Sequence, residues 1–589
     1  MSTASPTAAG HPPATQVSFT HRQISVILAG LMSGMFLAAL DQTIVATSIR
    51  TIADDLNGLS LQAWATTAYL ITSTIATPLY GKLSDLYGRR PFFIAAISIF
   101  LLGSALSGFS QSMYQLAGYR ALQGVGAGGL FSLALAILGD IVPPRERAKY
   151  QGYFLAVFGT SSVLGPIVGG FLAGQSSILG ITGWRWVFLV NLPIGAVSLM
   201  LVLRTLHLPH TRRDHRIDYP GALALVVGLV PLLVVAEQGR EWGWASGRSL
   251  AAYGIGLVGI VAFLLAERAY GDEALLPLRL FRGRTFGVGS ILNFIVGMGM
   301  FGGLAALPLY LQIVKGKSPT EAGLLLVPLM LGIMGGSVIS GQAIARTGKY
   351  RIFPIIGLTL LVIGLGLMSR IGADTSLVEI DVYALIFGLG LGFNMQTLVL
   401  AIQNAVPPQD MGVATASATF FRQMGGTLGT AVFLSVLFNG LPGKISDAFK
   451  AVAPTADFQA ALKDPAVLAN PANKPVFDLM KSGASAGGSS ALNDSSFINH
   501  LDPRLARPFL IGFADSIDVV FLLGASVLLV AWVIVWFLPE EKLRTQSGLD
   551  ARRDQATADG ANASSSEGEP ADDREAGEPA VSRTSAVVE

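Results

Sequence analysis

The chain has 589 residues, and its 40 basic and 38 acidic side chains leave a formal net charge of only +2. Hydrophobic residues make up 51% of the chain and charged residues 13%, about half of the charged fraction that soluble domains usually have. This near balance of charge gives no indication of a nucleic-acid partner. Because the chain contains no cysteine, disulfides, thiolate metal sites and thiol nucleophiles are excluded.

Apolar runs of about 20 residues, each long enough to cross a bilayer as a helix, recur along almost the whole chain. Residues 1–23 are polar at first and predict a disordered cytoplasmic tail without a cleaved signal peptide. Windows of about 19 residues predict an all-α polytopic membrane protein with about fourteen spans. The predicted spans are 24–49, 61–80, 92–110, 113–139, 151–173, 184–205, 219–238, 250–268, 285–312, 320–341, 352–370, 381–403, 411–437 and 515–538.

Basic residues are concentrated in alternate loops between these spans, and such loops face the cytoplasm in most membrane proteins. The pattern predicts that both termini are cytoplasmic. The basic set comprises Lys82, Arg89, Arg90, Arg145, Arg147, Lys149, Arg212, Arg213, Arg216, Arg268, Arg279, Arg282, Arg284, Arg346, Lys349 and Arg351.

An internal repeat divides the chain into two similar halves. "GKLSDLYGRRP" begins at Gly81, and "GQAIARTGKYR" begins at Gly341 with the same spacing of its two glycines and with trailing cations. We therefore expect two six-helix bundles, a common transporter design. The predicted units are a first bundle at 24–205, a linker with two extra transmembrane helices at 206–284, a second bundle at 285–540 with an external loop at 439–514, and a disordered cytoplasmic tail at 541–589.

One acid and one base lie inside apolar spans. Asp41 lies in "FLAALDQTIVATSIR", where an ionised carboxylate costs about 2.5 to 3.5 kcal/mol on insertion scales. Arg120 lies about 10 Å from the outer end of the fourth predicted span at ~1.5 Å per residue, and Asp41 lies at a similar depth in the first. Intramembrane charges usually face a water-filled cavity or a partner, whereas snorkelling is the simpler alternative for the arginine.

Other motif matches favour packing. "GVGAGG" at Gly124 and "GIGLVG" at Gly254 fit a dinucleotide-binding pattern, but each lies in an apolar span without a preceding strand. Close helix packing through small residues is the better interpretation. The six histidines show no metal-ligand spacing, and no nucleophile-elbow pattern is present. We therefore expect no metal, no cofactor and no enzymatic activity.

The loop "GKLSDLYGRRP" combines Gly81, Asp85, Gly88, Arg89 and Arg90. Glycine permits tight turns and close helix approach, and the aspartate is suited either to cap a helix or to pair with a neighbouring cation. A plain topology anchor would need only the cations. The whole pattern closely resembles the cytoplasmic loop signature of the major facilitator superfamily, which implies the major facilitator fold.

Four further stretches narrow this resemblance to the fourteen-span drug:proton antiporters. They are "LDQTIVATSI" from Leu40, "YRALQGVGAGG" from Tyr119, "GYFLAVFGTSSVLGPIVGG" from Gly152 and "GWRWVFLVNLPIG" from Gly183. Two positions depart from the family pattern. Ser161 replaces a usual glycine, and Arg50 replaces a usual proline.

The resemblance implies that the protein lies in the cell (inner or plasma) membrane, and it implies roles for particular residues. Asp41 and Arg120 would couple transport to protons, since spans one and four line the central cavity of this fold. The fifth span would form a tight seam that guides conformational change, although mere packing explains most of the same residues. The seam residues are Gly152, Gly165, Pro166, Gly169 and Gly170.

Polar residues in other spans are candidates for a substrate cavity, although neutral amides more often join helices. The candidates are Tyr69, Gln123, Asn293, Asn394, Gln396 and Arg422. For Arg422 the alternatives are an acidic partner, a substrate contact or a structural network.

The leading hypothesis is a proton-driven exporter of hydrophobic or amphipathic small molecules such as drugs or antibiotics, functional as a monomer in the lipid bilayer. A first alternative is the export of a specific natural product or lipid, in which the external loop hands cargo onward. A second is a non-transporting membrane receptor or scaffold that signals through its tail.

Overall fold

The computed structural model describes residues 21–56, 61–206, 218–474, 476–477, 498, 500–544 and 551. Most of both predicted tails and the middle of the predicted external loop lie outside these residues. The described chain is helical almost throughout. It also contains one short antiparallel hairpin, absent from the sequence prediction, in which Ser177 pairs with Thr182 and Ile178 with Ile181.

The helices follow one another with short connections. They are α1 His21–Asp55, α2 Gln62–Tyr87, α3 Arg89–Gly108, α4 Met113–Ile141, α5 Pro144–Gly174, α6 Trp186–Leu189, α7 Asn191–Thr205, α8 Tyr219–Trp242, α9 Gly247–Tyr270, α10 Arg279–Arg282, α11 Arg284–Leu309, α12 Pro319–Leu325, α13 Val327–Thr347, α14 Ile352–Met368, α15 Leu377–Ala405, α16 Met411–Val452, α17 Ala456–Lys463, α18 Pro465–Ala469 and α19 Pro503–Val535. The hairpin strands are β1 Ser177–Ile178 and β2 Ile181–Thr182.

Twelve helical segments of the described chain are long and apolar enough to cross a membrane. Two further helices, α2 and α14, occupy the remaining predicted spans. The α14 helix has only 17 residues, and α2 is rich in Thr and Ser, which lowers its mean hydropathy. The all-helical membrane architecture is therefore confirmed, whereas the count of fourteen spans stays a prediction.

Each half of the chain has its own apolar core. One core is formed by residues of α1 to α5 and α7, and the other by residues of α11 to α16 and α19. Within the first half, α4 packs against α2 and α3, and α1 packs against α5 and α7. Within the second half, α15 packs against α13 and α14, and α11 packs against α16 and α19. The two sets of contacts correspond to one another, as the repeat predicts.

The two halves meet where α2 packs along α16 and where α5 packs along α13. The predicted linker helices α8 and α9 pack against each other. Apolar residues of α8, including Leu225 and Leu229, form a common cluster with Ile75 of α2 and Phe420 of α16. The linker helix α8 therefore lies against the seam between the halves.

Two helices extend further outward than the hydropathy pattern predicts. The α16 helix has 42 residues, about 63 Å at ~1.5 Å per residue, whereas a hydrocarbon core is about 30 Å thick. The α19 helix begins at Pro503, in the predicted external loop. The hydropathy pattern detects only the apolar part of each helix. It therefore predicts a loop where the polar extensions of α16 and α19 lie. The predicted external loop also contains two small helices, α17 and α18, and a small apolar core packs them against α16 and α19.

Candidate functional site

Asp41 of α1 and Arg120 of α4 form a buried ion pair. Arg120 Nη1 lies 2.5 Å from Asp41 Oδ2, and the two side chains are 1% and 0% exposed. Their similar depth, inferred from the sequence, corresponds to direct contact between the helices. An arginine that snorkels would end in solvent, so the structure excludes that alternative for Arg120.

Two amides complete the coordination of the carboxylate. Gln123 Nε2 and Asn191 Nδ2 donate to Asp41 Oδ1 over 2.9 Å and 2.8 Å. Gln123 Oε1 in turn accepts from Arg120 Nη1 at 2.7 Å. Residues three apart on a helix lie on one face, which places Gln123 beside Arg120. Asp41 is thus held by one cation and two neutral donors.

The guanidinium of Arg120 is enclosed by aromatic rings. Its central carbon lies 4.1 Å from the ring centre of Tyr69 and 6.0 Å from that of Phe188. Its Nε donates to the carbonyl of Ala65 at 3.3 Å. A planar guanidinium can use its edge for acceptors and its faces for rings. Tyr69 and Gln123, predicted as cavity candidates, are therefore direct neighbours of the ion pair.

Asn191 was absent from the sequence-based candidates. It lies at the start of α7 in "VNLPIG", where an amide in an apolar stretch is the only local signal. Its side chain is fully buried, and Nδ2 also donates to Ser104 Oγ at 3.0 Å. Only the packing of α7 against α1 and α3 shows that this amide reaches Asp41.

A second charged cluster lies at the end of α2 that is predicted to be cytoplasmic. Arg89 Nη2 lies 2.6 Å from Asp85 Oδ1, and its Nε lies 2.8 Å from Oδ2 of Asp140 on α4. Arg89 Nη1 also donates to Ser84 Oγ at 2.6 Å. This cation therefore ties the ends of three helices together.

Asp85 also joins the two halves of the protein. Its carboxylate accepts from the backbone N–H groups of Gly412 at 3.2 Å and Val413 at 2.9 Å, in the first turn of α16. Such donors have no partner within the helix itself. The sequence left open whether Asp85 caps a helix or pairs with a cation, and it does both. Gly81 lies so close that a Cβ there would overlap Ala416 and the carbonyl of Gly412.

The neighbouring arginine has a different environment. Arg90 Nη2 donates to the carbonyl of Leu203 at the end of α7, over 2.9 Å. Gly88 connects α2 and α3 with φ 100°, a conformation that favours glycine. The five predicted motif residues therefore divide between a contact to α16, made by Gly81 and Asp85, and contacts within the first half.

Arg147 provides a second buried bridge between the halves. Its Nη1 donates to Gln403 of α15 at 2.6 Å, and its Nη2 donates to the carbonyl of Gly139 at 2.7 Å. Gln403 Nε2 donates to Thr415 Oγ1 of α16 at 2.7 Å. The sequence indicated only a topology cation at this position, because both partners are far away in the chain. The predicted cytoplasmic ends of the halves are thus joined by two polar networks.

Small residues bring α5 against α1. A Cβ at Gly165 would overlap Thr43, and one at Gly169 would overlap Thr47. Thr43 Oγ1 donates to the backbone carbonyl of Ser161 at 3.0 Å. The hydroxyl of Ser161 donates to the carbonyl of Val157 on its own helix at 2.9 Å, so the serine at this usual glycine position is accommodated.

Three other residues of the predicted seam lie elsewhere. A Cβ at Gly170 would meet nothing within 4 Å, so the predicted close packing at Gly170 is wrong. Pro166 instead faces the second half, where a Cβ at Gly323 of α12 would lie 4.0 Å from its ring. Gly152 lies near the cytoplasmic end of α5.

The candidates in the second half do not join the Asp41 cluster. Asn293 and Asn394 each donate to a carbonyl one turn earlier on their own helix, both at 2.9 Å. Within the described chain, Asn394 Oδ1 and Gln396 Oε1 are buried without a hydrogen-bond partner. Arg422 is half-buried on α16. The backbone of Arg422 packs closely against Gly297 of α11.

No group of three or more His, Cys, Asp or Glu side chains suited to a metal ion occurs among the described residues.

Comparisons with known proteins agree with this architecture. Residues 31–430 match the model of the Major Facilitator Superfamily. The chain is 33% identical over 541 residues to Multidrug transporter protein MdtP of Bacillus subtilis, covering 91% of this chain and 96% of the relative. It is 39% identical over 343 residues to the Tetracycline resistance determinant of Streptomyces rimosus, covering 57% of this chain and 97% of that protein.

A solved structure of the proton:xylose symporter XylE has a similar fold. Its TM-score is 0.54 at 17% sequence identity, and the match covers 90% of this chain and 99% of the symporter. At this identity the likeness concerns the fold alone.

Proposed function

Because the chain belongs to the major facilitator superfamily, we propose that it is a proton-coupled antiporter that exports hydrophobic or amphipathic small molecules such as drugs or antibiotics. Relatives named as a multidrug transporter and a tetracycline resistance determinant support this substrate class. Export would proceed by alternating access between the two halves, with the proton gradient as the source of energy.

The buried pair of Asp41 and Arg120 carries the proposal of proton coupling. Asp41 accepts hydrogen bonds from one cation and two amides. Protonation removes the charge that attracts Arg120, so the cluster loosens when a proton binds. If these contacts differ between the outward-open and inward-open states, the proton affinity of Asp41 differs between them as well. Proton binding then shifts the equilibrium between the two states.

The cytoplasmic networks support an alternating mechanism. Asp85 binds the start of α16, and Arg147 binds Gln403, so the halves are held together on the cytoplasmic side. Substrate entry from the cytoplasm requires these bonds to break. One charge that crosses 100 mV supplies about 2.3 kcal/mol, enough for roughly a fifty-fold substrate gradient at about 1.4 kcal/mol per decade.

The same proposal includes the side of the membrane on which the termini lie and the oligomeric state of the protein. Buried cytoplasmic cations such as Arg89 and Arg147 lie at the end of the molecule opposite the bond between Trp184 and Asp55. This agrees with cytoplasmic termini in a cell membrane. A single chain supplies both halves of the path, so we expect a monomer to be functional.

Substitution of the coupling acid tests the proposal. Asp41→Asn keeps the size of the side chain but cannot carry a proton, so dye export driven by a pH gradient in proteoliposomes should be abolished. Asp54→Asn is the matched control, since Asp54 is an exposed acid on the same helix. Gradient-driven export that persists in Asp41→Asn would refute the coupling role.

A second candidate function is the export of a bulky natural product or lipid. It is favoured by the outward extension of α16 and α19 and by the small helices packed on them. Replacing residues 453–501 by a short Gly/Ser linker leaves both long helices intact, since Val452 and Leu505 lie in one apolar core. Dye export should survive this replacement. Loss of lipid delivery with intact dye export would show that the replaced segment serves a lipid cargo.

A further inference from the structure

Arg422 lies deep in the membrane-spanning part of α16, which begins at Met411. At ~1.5 Å per residue it lies about 16 Å from the start of that helix, close to the middle of a hydrocarbon core about 30 Å thick. Charged side chains are rare at this depth, and they almost always face a partner, the interior of a helix bundle or a water-filled cavity. The surroundings of the guanidinium therefore decide what this arginine does.

The guanidinium of Arg422 has no hydrogen bond, ion pair or aromatic contact in the part of the chain that the structure describes. Its nitrogens are also not among the enclosed polar atoms that lack a partner there, and the residue is only half-buried. The nitrogens are thus accessible to a small polar group. Of the three alternatives that the sequence leaves open for Arg422, an acidic partner and a structural network find no support among the described residues.

The side chain of Arg422 starts from an inner face of α16. This helix contacts α2, α4, α8, α11, α15 and α19, so most of its circumference is covered by protein. Arg422 shares a face with Gly426, four residues later, and a Cβ at Gly426 would overlap the ring of Phe301 on α11. Leu428, which is 37% exposed, lies about 120° away around the helix at ~100° per residue. Arg422 therefore belongs to the side that packs on α11 and not to the side exposed to lipid.

The neighbours of Arg422 suit an amphipathic ligand. Gly297 of α11 packs so closely that a Cβ there would overlap the carbonyl oxygen of Arg422, and this glycine has no side chain to fill the space beside the arginine. Phe301, one turn further along α11, is only partly buried and offers an apolar surface. Gln423, the next residue of α16, accepts from Thr77 Oγ1 of α2 at 3.3 Å. A ligand at Arg422 would therefore lie beside a contact between the two halves.

We infer that Arg422 binds the anionic group of the exported compound, so that the protein accepts amphipathic organic acids with a carboxylate or a similar oxyanion. The inference rests on the proposed export, because it names the chemical class of that substrate. A guanidinium presents five N–H donors in a planar fork that matches a carboxylate, and such charge-assisted bonds are about twice as strong as neutral ones.

Other occupants fit the position less well. An organic cation would be repelled by Arg422, and the buried carboxylate of Asp41 is already paired with Arg120. The phosphate of a bilayer lipid lies outside the hydrocarbon core, whose half-thickness is about 15 Å, whereas Arg422 lies near its middle. A free amphipathic acid can reach this depth inside the protein, where its apolar body would contact Phe301.

Binding of three compounds with the same naphthalene body tests the inference on the full-length protein in detergent. They are 1-naphthaleneacetate, 2-(1-naphthyl)ethanol and 2-(1-naphthyl)ethylamine, which are anionic, neutral and cationic at neutral pH. Isothermal titration calorimetry should give a dissociation constant for the anion about tenfold or more below that for the alcohol, as expected for one charge-assisted contact. The amine should bind no more tightly than the alcohol.

Substitutions then assign the preference to one side chain. Arg422→Gln should abolish the preference for the anion, whereas Arg422→Lys, which keeps the charge, should retain most of it. Arg248→Gln is the matched control, because Arg248 is an exposed arginine on α9, and it should leave all three dissociation constants unchanged. Arg422→Gln removes no described contact of the side chain, so its melting temperature should equal or exceed that of the unmodified protein. An arginine with a structural role would instead lower the melting temperature when replaced.

Equal or absent binding of the anion and the alcohol by the unmodified protein would overturn the inference, and this comparison needs no variant to fold. A preference for the anion that survives in Arg422→Gln would also overturn it. Calorimetry needs no proton gradient, so the two proposals fail separately. Anion binding without gradient-driven export in proteoliposomes would contradict the proposed export, whereas export of neutral dyes without an anion preference would contradict only the role of Arg422.

Discussion

The carboxylate of Asp41 illustrates how a charge is retained inside an apolar helix. Left unpaired, it would cost about 2.5 to 3.5 kcal/mol on insertion scales. Arg120, Gln123 and Asn191 supply donors to both of its oxygens. Loss of one partner from a buried ion pair costs about 3 to 5 kcal/mol, so the cluster is sensitive to each of its members.

Asn191 provides a test of this dependence. Asn191→Ala removes one donor from Asp41, which should destabilise the protein by about 1 to 3 kcal/mol and reduce proton-driven export markedly. Ser104→Ala is the matched control, because Ser104 Oγ bonds Asn191 Nδ2 but not Asp41. Thermal unfolding and proteoliposome export would be measured for both. Comparable export in the two variants would show that the amide of Asn191 is dispensable for coupling.

The contact between α1 and α5 depends on the absence of side chains at two glycines. Gly165 and Gly169 lie where a Cβ would overlap Thr43 and Thr47, whereas Gly170 faces open space. A tight seam of this kind allows two helices to move as one body. The motif alone could not distinguish the three glycines, because the distinction depends on which way α5 is rotated toward α1.

Alanine substitutions separate these positions. Gly165→Ala forces α1 away from α5, because a Cβ there would also lie 3.1 Å from the backbone nitrogen of Ile44, and overpacking costs about 1 to 3 kcal/mol. Gly170→Ala should instead be neutral or stabilise the helix by about 0.5 to 1 kcal/mol. Thermal unfolding of the purified variants gives the comparison. Equal melting temperatures would contradict the assignment of the seam to one face of α5.

The two halves of the molecule are connected at the side predicted to be cytoplasmic by few polar contacts, which makes that junction suited to opening. Asp85 is central because it pairs with Arg89 and also caps α16 in the other half. Arg147 adds a bond to Gln403. These contacts are local, so their loss should change the balance between states more than the stability of either half.

Asp85→Ala is therefore expected to open the cytoplasmic side. A helix cap contributes about 0.5 to 2 kcal/mol, and a change of about 1 to 2 kcal/mol alters a two-state ratio by about 5-fold to 30-fold. Spin labels on cysteines replacing Glu146 and Thr347, exposed on α5 and α13, would report the distance between the halves. Arg90→Ala is the control, because the hydrogen bond of Arg90 to the carbonyl of Leu203 lies within the first half. A distance distribution unchanged by Asp85→Ala would contradict the gate.

Local sequence patterns were sufficient to predict several features of this protein. Hydropathy predicted helices at all fourteen span positions, since burial in lipid requires apolar residues whatever the packing. The repeated loop motif predicted two corresponding halves. Asp41 and Arg120 could be singled out because charge is rare inside a membrane, and that rarity is visible in the sequence.

Other features depend on residues that are distant in the chain and close in space. Asn191 reaches Asp41 across 150 positions, and Arg147 reaches Gln403 across 256, so no local pattern could pair them. The same holds for Tyr69 and Gln123, whose place beside Arg120 is set by the packing of α2 on α4. The hydropathy pattern also did not predict the extensions of α16 and α19, because a helix outside the membrane needs no continuous apolar run. The identity of the charged groups is therefore readable in the sequence, whereas their partners are decided by how the helices pack.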